Sequence, residues 1–390
     1  MIFHFDFAAW LVLVRLGAAV PNERQRRGLR RLLLLTIPLR ALAHSVCFFL
    51  DGILFPGLWR VKVEAPIFVI GHARSGTTLA HRLMCADERM SAFRYWELRL
   101  PSLLEKKLVH ALAWLDGHVL GRRIERRLAA WEERKFGAVK QIHRMGLNVP
   151  EEDDLVLYDS CASGFWMTKL PFMGDLDFFH LDRRPARRRK HLMRFYRGCV
   201  RRQLYLNGGG KIHLSKNPTW CGRVESLLEA FPDARFVVLY RNPHETIPSL
   251  LKLLHVSWEH AGNVDAGKIA ESTRVMIDLS YETYLYPLEV LARHPETRVA
   301  SIDYRELVAE PKRAIERAYA DLGLGMTDAF RAFLQREQDR ARTHETEHRY
   351  SLAEFGLDDL EIRTRLRPLF ERFGWDAEAP PMKPEEKTHA

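Results

Sequence analysis

Residues Pro66–Met84 read PIFVIGHARSGTTLAHRLM, and they carry the clearest structural signal in the 390-residue chain. The apolar run Ile67–Ile70 predicts a buried parallel strand, and Ala80–Met84 continues as a helix. Between them, Gly71–Thr78 has the spacing of a phosphate-binding loop. We therefore expect an anion to bind there, on backbone N–H groups at the start of the helix.

The loop lacks the lysine of a nucleotide triphosphatase. Thr77 stands where that lysine would neutralise the β- and γ-phosphates. A loop of this kind suits a shorter anion, held by backbone N–H groups and by the hydroxyls of Thr77 and Thr78. Arg74, in the same loop, supplies one positive charge through its planar guanidinium group, which can donate two parallel hydrogen bonds to an anion.

A second block, residues 211–254, alternates between strands and helices. It predicts strands at Ile212–Ser215 and Arg235–Tyr240 with a helix between them, and a further strand follows at Val299–Asp303. Such alternation indicates parallel strands joined by right-handed crossovers. Ligands bind at the carboxyl ends of strands in sheets of this type, so the residues that follow each strand should face a common crevice.

The predicted fold class is therefore α/β. We expect a P-loop-type three-layer fold with a central parallel sheet flanked by helices, plus an amino-terminal helical extension. The predicted boundaries are 1–62 for the extension, 63–377 for the catalytic domain and 378–390 for a disordered tail. Within the extension, helix breaks are expected at Pro21 and Pro38.

The loop G-H-A-R-S-G-T-T-L resembles the 5′-phosphosulfate loop of sulfotransferases that use 3′-phosphoadenosine 5′-phosphosulfate (PAPS). Its Arg-Ser-Gly-Thr-Thr form is closer to tyrosylprotein sulfotransferases and to a broad group of bacterial sulfotransferases than to the cytosolic animal enzymes, which have Lys there. The resemblance implies PAPS as the cofactor, with no metal. It also implies that the cofactor is bound by Arg74, Ser75, Gly76, Thr77 and Thr78.

The resemblance extends to the second block. Arg241 and Ser249 match the Arg and Ser that hold the 3′-phosphate in sulfotransferases. Lys216, in S-K-N-P, is similar to the Lys that contacts the bridging oxygen of the leaving phosphate, where a cation stabilises developing negative charge. Tyr304 starts a segment similar to Tyr-x-x-Leu-x-x-x-Pro of the family, and is expected either near the cofactor or packed on the core.

The transfer also needs a base for the acceptor hydroxyl. Glu97, which precedes Pro101 and is expected in a loop above the strand ends, is our first candidate, because it follows the anion loop at nearly the distance of the catalytic Glu in tyrosylprotein sulfotransferases. The alternative is a structural carboxylate that pairs with Arg94 or Arg99. His143 is the second candidate, by analogy with the catalytic His of cytosolic sulfotransferases, and Glu152 is the third.

Four consecutive acids, Glu151–Asp154, follow Pro150. A proline before a run of carboxylates is typical of the first turn of a helix, where negative charge favours the helix dipole. We therefore expect an acidic helix start here, and a functional role for one of the acids is the less favoured interpretation.

The chain has a net charge of +10 and an isoelectric point near 9.4. This balance favours anionic partners such as a nucleotide, an acidic substrate or a membrane surface. The densest basic run, Arg183–Lys190, lacks interleaved aromatic residues and a recognisable nucleic-acid-binding motif, so nucleic acid is not an expected partner. Five scattered cysteines without a Cys-x-x-Cys pair favour reduced thiols in the cytoplasm and imply no metal site.

The amino-terminal residues allow two interpretations. Residues 1–14 are apolar but contain Asp6 and lack the basic start of a secretory signal. Residues 30–59 are rich in Leu and Phe, but polar residues such as Asp51 interrupt them, so a clean transmembrane span is not expected. The helices pack on the catalytic domain, or they lie in a membrane interface with the arginines of residues 24–31 on lipid phosphates.

Together these features predict a sulfotransferase that transfers a sulfuryl group from PAPS to a hydroxyl group. The apolar amino-terminal helices favour a hydrophobic or lipid alcohol as the acceptor. Two alternatives remain open: a nucleotide kinase of the P-loop class, which would require Mg²⁺, and a non-catalytic nucleotide-binding protein at a membrane. The expected location is the cytoplasm, with peripheral contact to the inner face of a membrane.

Overall fold

The computed structural model describes residues 3–140, 146–262, 265–341 and 351–375. Within these residues a parallel sheet of five strands lies at the centre, in the order β2-β3-β1-β4-β5. This sheet confirms the predicted α/β class. The strands are β1 (Ile67–Gly71), β2 (Met90–Ser91), β3 (Ile212–Lys216), β4 (Arg235–Tyr240) and β5 (Val299–Asp303).

Helices cover both faces of the sheet. In chain order they are α1 (Phe7–Ala19), α2 (Glu23–Arg31), α3 (Ile37–Leu54), α4 (Thr77–Met84), α5 (Tyr95–Arg99), α6 (Leu103–His118), α7 (Arg123–Lys140), α8 (Ala186–Asn207), α9 (Val224–Ala230), α10 (Pro243–His260), α11 (Ala266–Arg293), α12 (Tyr304–Ala309), α13 (Pro311–Asp321), α14 (Asp328–Ala341), α15 (Asp359–Arg365) and α16 (Arg367–Phe373).

The central strand β1 is buried along its whole length. Val69 is level with Lys216 of β3 and with Val237 of β4. Side chains of a strand alternate between the two faces, so Phe68 enters the larger core, which contains residues of α1 to α3 and α8 to α11. Val69 enters the smaller core with α4, α13 and α14.

The amino-terminal helices differ from the prediction at Pro38. Pro21 lies between α1 and α2 as expected, but helical structure continues through Glu23–Leu54 without a break. A π-helical turn at Leu32–Thr36 precedes Pro38, and the N–H of Ile37 donates to a carbonyl five residues back. Proline has no N–H and crowds the preceding turn, so we attribute the continuous helix to this widened turn.

Buried polar contacts fix α3 to the rest of the protein. Asp51 is fully buried, and its carboxylate accepts a hydrogen bond from Arg202 Nε on α8 at 2.6 Å. The same carboxylate caps α6 by accepting from the N–H groups of Leu103 and Leu104. Breaking a buried ion pair is strongly destabilising, so these contacts hold the end of α3 firmly against α6 and α8.

The segment Glu23–Leu54 is long and apolar enough to cross a membrane, and 28% of its most apolar window is buried. This finding corrects the expectation that polar residues exclude such a span. Core helices of soluble proteins and signal sequences can have the same length and composition. The boundaries near residues 62 and 377 stay predictions, and the tail from 378 lies outside the described residues.

The contacts of His44 on α3 lead to a prediction about pH. Its Nδ1 lies 2.7 Å from Glu105 Oε1, and its Nε2 lies 3.5 Å from Asp159 Oδ2. Burial alone would lower the pKa of His44, but hydrogen bonds with Asp159 and Glu105 raise that pKa to about 9. The charged imidazole therefore stabilises the folded state fully below pH 6.5, and this contribution is lost as the pH rises through about 9.

We expect His44→Gln to reduce the free energy of unfolding by on the order of 2–3 kcal/mol near pH 6, and by much less near pH 10. Urea unfolding of the parent and the variant across this range measures the difference. His118→Gln, at an exposed position, is the control and should show no such trend. A constant difference between parent and His44→Gln at all pH values would contradict the assignment.

Candidate active site

The loop between β1 and α4 requires glycine at two positions. Gly71 has φ +142° and Gly76 has φ +90°, conformations that other residues rarely adopt. A Cβ on Gly71 would lie 2.4 Å from the Leu239 carbonyl oxygen, and one on Gly76 would lie 2.5 Å from the ring of Tyr304. The loop is therefore tightly enclosed, and it presents the first N–H groups of α4 to an anion.

Arg74 connects this loop to the segment that follows β4. Arg74 Nε donates to Ser249 Oγ on α10 at 3.1 Å. Arg241, directly after β4, donates from Nη1 to the Arg74 carbonyl oxygen at 3.1 Å. The two halves of the predicted cofactor site thus meet in one crevice. The guanidinium of Arg74 lies beside Ser249. The sequence had instead predicted that Arg74 acts together with the hydroxyls of Thr77 and Thr78.

Two further contacts orient the guanidinium of Arg241. It lies 4.1 Å from the centre of the Tyr304 ring. Its Nε donates to Glu245 Oε2 at 2.8 Å, and its Nη2 donates to the same oxygen. With the bond to Arg74, these contacts use three of its five N–H donors, and the other two have no partner among the described residues. Tyr304 therefore lies at the site, against both Gly76 and Arg241.

Lys216, the last residue of β3, lies between the loop and the acidic segment. Its side chain is 1% exposed, and its Nζ donates to Thr78 Oγ1 at 3.2 Å. The same ammonium group lies 3.1 Å from Glu152 Oε1 and 4.0 Å from Glu151 Oε2. Burial raises the pKa of the Glu152 carboxyl, while the positive charge of Lys216 opposes this rise.

Several buried polar atoms at the crevice have no hydrogen-bond partner among the described residues, and they include Ser75 Oγ in the loop and Asn217 Nδ2 after Lys216. Both residues are fully buried. Buried polar groups are rarely left without a partner, because desolvation without a hydrogen bond costs a few kcal/mol. These atoms are consistent with a site whose remaining hydrogen bonds go to a polar ligand.

The predicted acidic helix start is present, but as a short 3₁₀ helix, Asp153–Leu157, with Asp153 and Asp154 in its first turn. Asp153 is fully buried, with Oδ2 2.5 Å from the Tyr196 hydroxyl and 3.0 Å from His213 Nε2. Asp154 accepts a hydrogen bond from Thr219 Oγ1 at 3.1 Å. These partners hold the acidic segment against β3.

Glu97 lies in the short helix α5, although a loop was predicted. It is 3% exposed, and its Oε2 accepts from the Arg94 backbone N–H at 2.8 Å and from Gln203 Nε2 at 3.1 Å. The neighbouring Arg99 pairs with Asp159 at 3.1 Å. Glu97 therefore caps α5 through a backbone group, and it does not form the predicted structural pair with Arg99.

The other sequence candidates have different outcomes. His143 lies outside the described residues, so its role stays a prediction. Asn217 and His72 were quoted within motifs but not assigned, although both contribute buried polar atoms without a partner in the described part of the chain. Their positions beside Lys216 and Arg74 were the signal that could have identified them.

The fold and the crevice define the protein as one with a P-loop-type anion site on a parallel sheet. The cationic side chains at this site are Arg74, Lys216 and Arg241. Across the described ranges, no group of three or more His, Cys, Asp or Glu residues could hold a metal ion.

The chain belongs to the sulfotransferase family, whose family model matches residues 66–328. The match starts at the loop-bearing strand and covers the second block. The predicted enzyme class is thereby confirmed: the protein is a sulfotransferase, which transfers a sulfuryl group from a donor to an acceptor. The particular likeness of the loop to tyrosylprotein sulfotransferases stays a resemblance.

Known proteins extend this result to most of the chain. An omega-hydroxy-beta-dihydromenaquinone-9 sulfotransferase, Stf3, from Mycobacterium bovis is 24% identical over an alignment length of 341, and the match covers 82% of this chain and 78% of Stf3. The Mycobacterium tuberculosis protein of the same name matches equally well.

Two crystal structures share the fold. Sulfotransferase STF9 from Mycobacterium avium has a TM-score of 0.70 and 18% identity, and covers 95% of this chain and 93% of its own. Sulfotransferase STF1 from Mycobacterium tuberculosis has a TM-score of 0.62 and 20% identity, with 92% and 90% covered.

Proposed function

We propose that this sulfotransferase uses PAPS, bound across the crevice by its two anionic ends. The hydrogen bond between Arg74 and Ser249 is the observation that supports this most directly, because it brings the loop and the β4–α10 segment into contact. The 5′ end would be held by the start of α4 with Thr77 and Thr78. The 3′-phosphate would be held by Arg241 and Ser249.

The side chains in the crevice fit such a ligand. Ser75 Oγ and Asn217 Nδ2 are buried polar atoms without partners in the described residues, and oxygen atoms of a phosphosulfate would satisfy the amide of Asn217. Nη1 and Nη2 of Arg241 each keep one N–H without a partner in the described residues, and these are available to phosphate oxygens. When bound, PAPS supplies an activated sulfuryl group and a nucleotide leaving group.

Lys216 is suited to stabilise the transition state. Its ammonium group lies 3.2 Å from Thr78 Oγ1 in the loop. Negative charge develops on the leaving group during sulfuryl transfer, so a fixed cation at this position stabilises the transition state more than the ground state. Burial of Lys216 strengthens this interaction, because water does not screen a buried charge effectively.

Among the candidates for the general base, the contacts favour Glu152 over Glu97. Glu152 lies 3.1 Å from Lys216, which itself contacts the loop. Glu97 uses its carboxylate to cap α5 and to bind Gln203. The raised pKa of Glu152 makes its carboxylate a stronger base than an exposed one, while Lys216 favours the ionised form that accepts the proton.

We infer that the acceptor is a hydroxyl-bearing lipid. The relatives in Mycobacterium are named as sulfotransferases of an omega-hydroxylated dihydromenaquinone. In this chain, α3 packs against α6, and α6 packs against α7. These three helices carry exposed apolar side chains, here called the apolar face: Leu39, Leu42, Val46, Phe49, Ile53, Leu108, Leu112, Trp114, Ile124, Leu128 and Trp131.

The apolar face supports a peripheral location on a membrane. Exposed apolar patches of this extent are unusual on soluble monomers. The exposed arginines of α2 and α7 are suited to anionic lipid headgroups. Asp51 ties the end of α3 to α8, which favours helices that lie in the interface over a helix that crosses it. All five cysteines are free, which favours the cytoplasmic side.

The first test concerns the nucleotide. We expect adenosine 3′,5′-bisphosphate to raise the Tm of the parent, and ATP with Mg²⁺ to have little effect. Arg241→Ala should weaken binding of the bisphosphate about 10- to 100-fold, because charge-assisted hydrogen bonds to the 3′-phosphate are lost. Thermal unfolding across a nucleotide titration measures both effects.

Arg365→Ala is a matched control for Arg241→Ala. Arg365 also stacks on a tyrosine, at 4.0 Å from the Tyr281 ring, and also pairs with a Glu four residues away, Glu361. This variant should bind the nucleotide as the parent does. If Arg241→Ala bound the bisphosphate as tightly as Arg365→Ala does, the assignment of the 3′-phosphate site would be wrong.

The second test concerns the base. With ³⁵S-labelled PAPS and a cell lipid extract as the acceptor, Glu152→Gln should lower turnover about 100-fold or more, with nucleotide affinity nearly unchanged. The parent should lose activity at acidic pH with a midpoint above the ordinary value for Glu, 4.5, because the pKa of Glu152 is raised. That dependence should disappear in Glu152→Gln.

Glu97→Gln distinguishes the two candidates. Since Glu97 caps α5, we expect this variant to lower the Tm and to retain most of its turnover. The reverse result, with turnover lost in Glu97→Gln and kept in Glu152→Gln, would return the role of base to Glu97.

The third test concerns the membrane. The parent should sediment with vesicles of phosphatidylcholine and phosphatidylglycerol. The affinity of the double variant Leu42→Ser, Phe49→Ser for these vesicles should be lower by about tenfold or more. The reason is that two apolar side chains, which are 63% and 67% exposed, become polar. Leu360→Ser, at a position 70% exposed on α15, should bind as the parent does. Equal binding by all three proteins would exclude the apolar face as the contact surface.

A further inference from the structure

A cavity of about 940 Å³ lies between the first residues of the chain and the start of α8. Its volume falls within the range of ligand pockets. Much of the wall is apolar, with side chains from residues 3–12 and from the segment that precedes α8, including Phe5, Phe7, Val12, Leu176 and Phe178. Another part of the wall is basic, because the run Arg183–Lys190 contributes Arg184, Arg187 and Arg188.

The carboxylates at this cavity are already bound to other groups. Asp6 caps α1 by accepting from a backbone N–H of its first turn at 3.0 Å. Asp175 pairs with Lys268 at 2.9 Å, and Asp177 Oδ2 lies 3.0 Å from His180 Nδ1. These acids therefore leave little negative charge for the arginines of the wall.

The arginines at the start of α8 lack such partners. The helix itself contains no acidic residue. The side chains of Arg187 and Arg188 are exposed and have no carboxylate partner among the described residues. The buried Arg223 adds a further positive charge to the wall. Like charges repel each other, and positive charge in the first turn opposes the helix dipole, so both effects favour an anion at this position.

We propose that this cavity, here called the basic cavity, binds a singly charged sulfate or phosphate ester on an apolar chain. The oxyanion contacts Arg187 and Arg188 through charge-assisted hydrogen bonds. The chain lies along Phe5, Phe7 and Val12 and removes their surface from water. A free inorganic anion would leave the apolar part of the wall uncovered, and a neutral lipid would leave the arginines unpaired.

Two kinds of molecule carry this chemistry. Sulfuryl transfer converts a neutral lipid alcohol into a sulfate ester on the same chain, so the product of this enzyme is one of them, and that source rests on the proposed function. Residues 176–178 border both the basic cavity and a smaller cavity of about 250 Å³ that reaches the anion loop at His72 and Ala73. The basic cavity is thus close to the place where the product is expected to form. The other source is an anionic phospholipid.

Calorimetry on the full chain, without nucleotide, tests the chemistry with monomeric octyl sulfate and octanol. The parent should bind octyl sulfate about tenfold or more tightly than octanol, because only the sulfate pairs with the arginines. Dihexanoyl phosphatidylglycerol, which also carries one negative charge, distinguishes the sources. Tighter binding of octyl sulfate than of this lipid assigns the basic cavity to the product, and the reverse order assigns it to a phospholipid.

The double variant Arg187→Gln, Arg188→Gln should lower the affinity for octyl sulfate about 10- to 100-fold. The matched control is Lys190→Gln, Arg194→Gln, which removes the same charge from exposed positions of α8 outside the cavity wall and should bind as the parent does. Phe7→Ser, at a position 59% exposed, should lower the affinity several-fold, because the chain loses an apolar contact.

Equal affinity of the two double variants for octyl sulfate would overturn the inference, because the anion would then bind by net charge alone. Equal binding of octyl sulfate and octanol by the parent would overturn it as well. The proposed function is measured separately, by the Tm shift with adenosine 3′,5′-bisphosphate and by transfer of ³⁵S to lipid. If those measurements succeed and octyl sulfate does not bind, the basic cavity alone is refuted. If octyl sulfate binds and no lipid is labelled, the proposed acceptor is refuted and the basic cavity is not.

Discussion

The active site depends on the position of β1 between β3 and β4. Neighbouring strands lie about 4.8 Å apart, so the three loops that follow these strands leave one edge of the sheet within about 10 Å of each other. Those loops carry Arg74 and Arg241, and β3 ends at Lys216. The contact between Arg74 and Ser249, 175 residues apart, follows from this backbone arrangement. Side chains complete the site, but the strand order creates it.

This arrangement could be predicted largely from the sequence. Strands β4 and β5 have the predicted bounds, and β1 and β3 are each one residue longer than predicted, because apolar runs between turn residues identify buried strands well. Strand β2 has two residues and α5 has five, which is too short for periodicity to detect. The prediction of a loop at Glu97 failed for this reason. The helix break predicted at Pro38 was wrong because a π-helical turn precedes the proline, and no simple sequence pattern predicts such a turn.

The acidic segment shows why site chemistry is harder to predict than the fold. The sequence favoured a helix start for the four acids, and no local pattern indicated that three of them, Glu151, Asp153 and Asp154, are buried. Tyr196 and His213, which bind Asp153, lie 43 and 60 residues away in the chain, so burial of the segment depends on tertiary packing. That packing sets the position of Glu152 beside Lys216. The residues that position this carboxylate therefore include several that do not touch the crevice.

The charges in the crevice are nearly balanced, although the chain carries a net charge of +10. Lys216 lies beside Glu151 and Glu152, and Arg241 is paired with Glu245. A site with unpaired cations would attract any polyphosphate. Here Glu245 occupies one edge of the Arg241 guanidinium. In the proposed cofactor site, a ligand would have to present a phosphate to the remaining donors of Arg241, so selectivity among nucleotides would arise from geometry more than from total charge.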